Sequence, residues 1–270
     1  MTPAVRAWCL VNGVWVERAN GTGKRQLVSC PIECIGLSPA WTPDGRRVAV
    51  GGIDSQTTGI ELVDVATGLA TAIIDKAHPY DTYSPIAFSP NGRWLAYDFE
   101  GGQEGTASCC ISELIVSRAD GTHARVLYRF RDPIHDGPGF STWSPDSTRI
   151  AFTDDGWLKD PRLAIVEVGT GRMHALNPHQ IPDQYPAWSP NGKRLALAAG
   201  VSGAIVVATN GSGFRSLHVK ATSAVLWLRN RDLLLGLGHR IELLPGGRGS
   251  PRKYIALPGH EQLLSFHEGK

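Results

Sequence analysis

The chain has 270 residues, 42% of them hydrophobic, enough to bury a full core. Its 27 Lys and Arg stand against 25 Asp and Glu, a formal net charge of +2, which argues against a dedicated nucleic-acid binder. No apolar run reaches the length of a transmembrane helix, so membrane insertion is not expected.

In chain order, the opening MTPAVRAWCLVNG lacks the basic and continuous apolar regions of a signal peptide. The expectation is a cytoplasmic protein, or an extracytoplasmic or periplasmic one whose leader was removed. RAWCLVN from Arg6 reads as a strand, and VWVERANGTGKRQLV from Val14 as two strands about a Gly-rich turn. Four related hairpins follow: AWTPDGRRVAV from Ala40, AFSPNGRWLAY from Ala87, TWSPDSTRIAF from Thr142 and AWSPNGKRLAL from Ala187. Their aromatics, Trp41, Phe88, Trp143 and Trp188, recur roughly every 45–55 residues, a propeller period. Pro presets φ at the first turn position, Asp or Asn tolerates the next, and Gly closes the turn. The third copy departs from this with Ser147 in place of Gly.

Between these hairpins lie strand–turn–strand units that start at Ile60, Leu114, Leu163, Ala204 and Ile241. One repeat is therefore four strands, a to d. A fifth a–b hairpin, AVLWLRNRDLLLGLG around Trp227, has lost the Ser-Pro pair and the Gly. The three N-terminal strands lack a strand a, and QLLSFHE near the C-terminus is spare. The expected fold is all-β: a six-bladed β-propeller of four-stranded blades spanning residues 1–270 as a single domain. A C-terminal innermost strand, 262–267, closes it by pairing with the three N-terminal strands.

The pattern WSPDG-x-x-[IVL]-A-[FY], followed by a strand, a DG or NG turn and a strand, resembles the TolB-like propeller repeat. WD repeats match less well, because no GH…WD pairing occurs. The resemblance covers the propeller alone, without the N-terminal α/β domain of TolB. It implies binding more than chemistry. Propellers of this type dock proteins, form the non-catalytic half of some peptidases, or hold carbohydrate-lyase sites.

Within a repeat, the a–b and c–d turns share one end, and the b–c loops and d–a linkers share the other. The turn end collects Lys24, Arg25, Arg46, Arg47, Arg93, Arg125, Arg149, Arg172, Lys193, Arg194 and Arg215. The loop end collects Asp81, Asp98, Glu100, Glu104, Asp132, Asp136, Asp154, Asp155, Asp160 and Asp183. The loop end also carries the long connections, where binding residues concentrate on a rigid scaffold. His78, His135, His179 and His260 fall in d–a linkers, with Gln180 beside His179. Imidazoles converging on a pore mouth could hold a divalent metal, with His135, His179 and Gln180 as candidate ligands; ordinary loop histidines are the plainer reading. Tyr83 and Tyr185 are assigned to the same linkers and Trp157 to a b–c loop, where aromatic faces can stack on a sugar or anchor a partner. Trp41, Trp143, Trp188 and Trp227 are repeat positions and are read as packing.

Cys30, Cys34, Cys109 and Cys110 leave alternatives open: free thiols, a bridge between one of the first pair and one of the second, or a metal site. There is no G-x-S-x-G elbow or P-loop, and the Ser-Pro serines are turn residues. The sequence thus points to a non-catalytic binding or scaffold propeller, a monomer with no cofactor, engaging a protein or peptide at its acidic loop end. The expected contacts are His78, Tyr83, His135, Trp157, His179, Tyr185 and His260. The alternative is a metal-assisted carbohydrate lyase or hydrolase with a histidine-lined site at the pore mouth.

Overall fold

The computed structural model describes residues 5–10, 13–18, 22–29, 39–51, 58–75, 81–101, 111–130, 138–154, 162–176, 186–198, 203–217, 224–228, 232–237, 240–247 and 252–256. They belong to two compact units, Met1–Gly137 with Gly269–Lys270, and Pro138–Glu268. Among the described residues there is no α-helix; apart from a 3-10 turn at Pro245–Gly247, every regular element is a strand.

The first unit holds three antiparallel sheets. One is β1 (Val5–Leu10), β2 (Gly13–Arg18) and β3 (Arg25–Ser29). The second is β4 (Ala40–Trp41), β5 (Arg47–Gly51), β6 (Thr58–Asp64) and β7 (Ala70–Asp75). The third is β8 (Thr82–Phe88), β9 (Trp94–Gly101), β10 (Ile111–Arg118) and β11 (Arg125–Arg129). The other unit repeats the plan three times. Its sheets are β12 (Pro138–Trp143) to β15 (Met173–Leu176) through β13 (Arg149–Asp154) and β14 (Arg162–Glu167); β16 (Ala187–Trp188) to β19 (Arg215–Ser216) through β17 (Arg194–Ala198) and β18 (Ala204–Ala208); and β20 (Ala224–Trp227) to β23 (Arg252–Ala256) through β21 (Leu233–Leu237) and β22 (Arg240–Leu244). Strand order follows chain order in every sheet, so each pairing is local. The degenerate hairpin around Trp227 forms as expected, with Trp227 opposite Leu233. The strand expected at 262–267 lies outside the described residues.

The recurring turn has a physical reason. Thr42, Ser89, Ser144 and Ser189 each donate a hydroxyl to the Oδ1 of the Asp or Asn two residues on, at 2.6, 2.7, 2.6 and 2.9 Å. Each hydroxyl also accepts from the backbone N–H five residues on, at 2.9–3.1 Å. The hydroxyl-bearing residues are buried, so the clamp satisfies donors that water does not reach. Ser147 takes φ 62°, where Gly45, Gly92 and Gly192 take 68°, 70° and 65°. The turn geometry, not the residue type, therefore persists in the third copy. The c–d turn docks on the a–b turn of its own sheet: Val65, Ala119, Val168 and Thr209 donate N–H to the carbonyls of Arg46, Arg93, Thr148 and Lys193. Both short turns thus share one edge, as the repeat pattern predicts.

Alternation along the strands builds the cores. Val48 and Val63 are cross-strand partners and pack with Val14, Val16 and Leu27 of the preceding sheet. Ala49 and Leu62, the next pair, face the opposite way and pack with Leu95, Tyr97 and Ile115 of the following sheet. In the second unit Leu163, Ile165 and Leu176 meet Trp188, Leu195 and Leu197, and Ala196 and Val206 meet Val225 and Leu235. Trp143, Trp188 and Trp227 are buried and Trp41 half-buried. Arg149 reaches across from β13, lies 4.8 Å from the Trp188 ring centroid and donates to the Gly192 carbonyl at 3.0 Å.

Candidate binding site

Of the residues expected to touch a ligand, His78, His135, Trp157, His179, Tyr185 and His260 lie outside the described residues, as does Gln180. So do Cys30, Cys34, Cys109 and Cys110. Tyr83 is described, and it belongs to strand β8 rather than to the linker before it. It pairs with Phe99 across the ladder and is buried, its ring 5.0 Å from Phe99 and 6.2 Å from Tyr97. A Cβ on Gly59 would stand 2.9 Å from this ring, so the neighbouring strand β6 is bare where Tyr83 packs. The strand begins at Thr82, five residues before Ala87, where the hairpin motif starts, and the large Tyr83 ring is buried in the inter-sheet core.

What the structure does assemble at the loop-bearing end is a polar strand surface on the third sheet. Register puts Ser84 and Asp98 side by side, then Thr82, Glu100 and Ser112 one pair further on the same face. Asp98 Oδ1 and Ser112 Oγ are buried with no hydrogen-bond partner among the described residues. Burial pushes the Asp98 carboxyl well above the usual carboxylate range, and the charge of Glu100 adds to the shift. On the other face Glu113 is buried and ion-paired to Arg129 at 2.6 Å. Burial raises the Tyr97 hydroxyl to about 12, with Tyr83 and Glu113 contributing. A neutral Asp98 carboxyl can donate as well as accept a hydrogen bond, and Ser112 beside it can do both.

Asp98 and Glu100 were legible as loop-end acids; Ser112 and Glu113 were missed. A signal existed. The position of Asp98 in its strand is held by Gly51, Thr153 and Ala198 in other repeats, so a carboxylate there breaks a small-residue pattern. Thr153 Oγ1 is likewise buried without a partner among the described residues. No group of three or more His, Cys, Asp or Glu among the described residues could hold a metal.

At the turn edges, the acids serve the backbone. Thr42 lowers the Asp44 carboxyl by its hydrogen bond, Thr67 does the same for Asp64, and Thr122 for Asp120. Burial works to raise Asp146, but bonds from Ser144 and Thr148 hold it below its ordinary value. The exposed cations beside them include Arg46, Arg47, Arg93, Arg118, Arg172 and Lys193.

No family model matches the chain. A TolB homolog of Chlorobium luteolum is 26% identical over 166 residues, covering 57% of this chain and 34% of that protein. The Tol-Pal system protein TolB of Alcanivorax borkumensis is 23% identical over 191 residues, covering 64% of this chain and 41% of that protein. The matched region is thus well under half the length of these relatives. The crystal structure of TolB from Acinetobacter baumannii superposes with a TM-score of 0.59 and 19% identity, covering 90% of this chain and 61% of that one. In sequence and in fold the chain is similar to the TolB-like β-propellers, in agreement with the repeat signature.

Proposed function

We propose that this chain is a non-catalytic binding propeller that engages a protein or peptide partner at the loop-bearing end of its sheets. Its six sheets are six blades, closed by a strand at 262–267 that joins β1–β3. The observation that carries this reading is the asymmetry of the repeat. In the four sheets from β4 to β19, one edge is made of short turns whose polar groups bond each other. At the other run the longer connections, such as 131–137 and 177–185, and the connection 102–110 joins the two strands whose Asp98 and Ser112 lack a hydrogen-bond partner among the described residues. Similarity to a TolB of a Tol-Pal system supports a protein partner over a small substrate. His78, His135, Trp157, His179, Tyr185 and His260 border the contact surface, and Tyr83 supports it from within the core.

Photo-crosslinking tests this directly. A photoreactive amino acid at position 135 or 179 is expected to capture a partner protein in cells, whereas one at position 172 or 193, on the turn edges of the second unit, captures none. Capture from 172 and 193 but not from 135 and 179 would reverse the assignment. A second reading, a metal-dependent carbohydrate enzyme, rests on the four linker histidines. It requires stoichiometric divalent metal in purified protein that His135→Ala/His179→Ala removes.

A further inference from the structure

The turn-bearing edges hold a feature that the proposed loop-end contact does not use. In the first unit, where the second and third sheets pack face to face, the core thins toward the outer strands and leaves a crevice of about 800 Å³. Leu62, Ile73 and Trp94 supply much of its apolar lining. Leu69 stands at its lip, 70% exposed. Three exposed arginines border it: Arg47 from β5, Arg93 from the a–b turn of the third sheet, and Arg118 from the end of β10. None of the three makes an ion-pair contact among the described residues, although the charges of Arg47 and Arg118 act on the nearby Asp64 and Asp120 carboxylates. Asp64 and Asp120 also line it, but Asp64 Oδ1 accepts from the N–H of Ala66 and Thr67, and Asp120 Oδ1 from Thr122.

The repeat supplies an internal comparison. Arg149 occupies in the third hairpin the position that Arg47 occupies in the first. Arg149 is committed to the next sheet, stacked on Trp188 and bonded to Gly192. Arg47 has no such contact and lines an open crevice instead. The same edge of the β16–β19 sheet carries a smaller hollow of about 450 Å³ beside Arg194 and Arg215. The first-unit crevice is the larger and has the apolar lining. Spaced guanidiniums beside an apolar lining suit a chain in which carboxylates alternate with apolar side chains. The volume falls within the range of binding pockets, and the lining combines apolar side chains with the three arginines, Asp64 and Asp120. We propose that this crevice is a docking groove for an acidic, leucine-bearing peptide segment of a partner protein, its carboxylates on Arg47, Arg93 and Arg118 and its apolar side chains over Leu62 and Leu69.

The test uses the full chain and a fluorescent peptide of alternating Glu and Leu, read by anisotropy, with a Gln-Leu peptide and a short oligonucleotide as controls. Arg47→Gln and Arg118→Gln are each expected to weaken the Glu-Leu peptide about two- to fivefold, and together about tenfold. Added salt weakens binding further. Leu69→Ser weakens it without changing the salt dependence. Arg172→Gln, an exposed cation outside the crevice, leaves affinity unchanged. Unfolding midpoints stay level throughout, because the replaced side chains are exposed. The proposal is overturned if the Glu-Leu peptide does not bind at about 1 mM. Equal binding of the Gln-Leu peptide, an equal loss with Arg172→Gln, or preferential displacement by the oligonucleotide would overturn it as well.

Discussion

Asp98 is the residue whose chemistry is most out of keeping with its surroundings. Its folded-state carboxyl is raised by burial and by Glu100, so the folded protein holds this proton more tightly than the unfolded chain does. Below the ordinary carboxylate range both states are protonated and the residue is neutral in its effect. As pH rises through that range, the unfolded chain ionises first and stability falls until the folded carboxyl ionises too. Asp98→Asn is therefore expected to unfold at higher denaturant than the parent at neutral pH, and the gap should close in acid. A gap that stays constant from acid to neutral pH would mean that Asp98 titrates normally. Two glycines make a second comparison at this scale. Gly45, at φ 68°, has open space where a Cβ would go, so Gly45→Ala costs only backbone strain, about 1 kcal/mol. Gly121, at φ 84°, would place that Cβ 1.8 Å from the Ile73 carbonyl oxygen. Gly121→Ala should cost several-fold more in urea unfolding, because backbone rather than a flexible side chain must move.

At the scale of the element, the hairpin is held by a buried hydroxyl that both donates and accepts. Ser144→Ala leaves the Arg149 N–H without that acceptor and Asp146 without that donor, at a cost of about 1–2 kcal/mol. Ser144→Thr should recover most of the loss, since Thr42 fills the equivalent role in the first hairpin. Equal destabilisation by Ala and Thr in urea titrations would show that packing, not the hydroxyl, matters there. The turn was legible in the sequence from its Pro, Asp or Asn and Gly, but the hydroxyl clamp was not, although every partner lies within five residues. The degenerate fifth hairpin was legible for a different reason. Its alternating Leu and Val still demand a two-sided strand pair, and Leu228 donates N–H to the Asp232 carbonyl where the other hairpins bond Ser or Thr. Asp232 there turns its side chain to the Gly246 N–H at 2.7 Å. Tyr83 was less legible. An aromatic beside Ser and Pro reads as linker, and only the bare Gly59 on the facing sheet explains its burial. Ser112 and Glu113 went unnoticed because their meaning lies in cross-strand neighbours, not in a motif.

For the whole molecule, the strand pairings were the easy part, since neighbours in every sheet are neighbours in sequence. Whether loop residues from different repeats converge is another matter. It depends on relations between sheets, which no local pattern states, and the linker histidines therefore enter the binding proposal by topology alone. Closure belongs to the same class. The sheet β1–β3 has three strands where the other sheets described have four, and β1 has a single strand neighbour, β2. An edge left open there would expose unpaired N–H and C=O groups, the usual template for unwanted pairing. The segment QLLSFHE alternates apolar and polar residues in the manner of the missing strand. If it closes the sheet, deleting 261–270 uncovers β1 and removes the tie between the chain ends. The truncated protein should unfold far earlier than the full chain and aggregate on warming. The amides of 5–10 should lose hydrogen-exchange protection before those of β9 or β13. A cooperative transition within a few degrees of the full chain, with β1 amides still protected, would mean that the N-terminal sheet stands without the C-terminal segment.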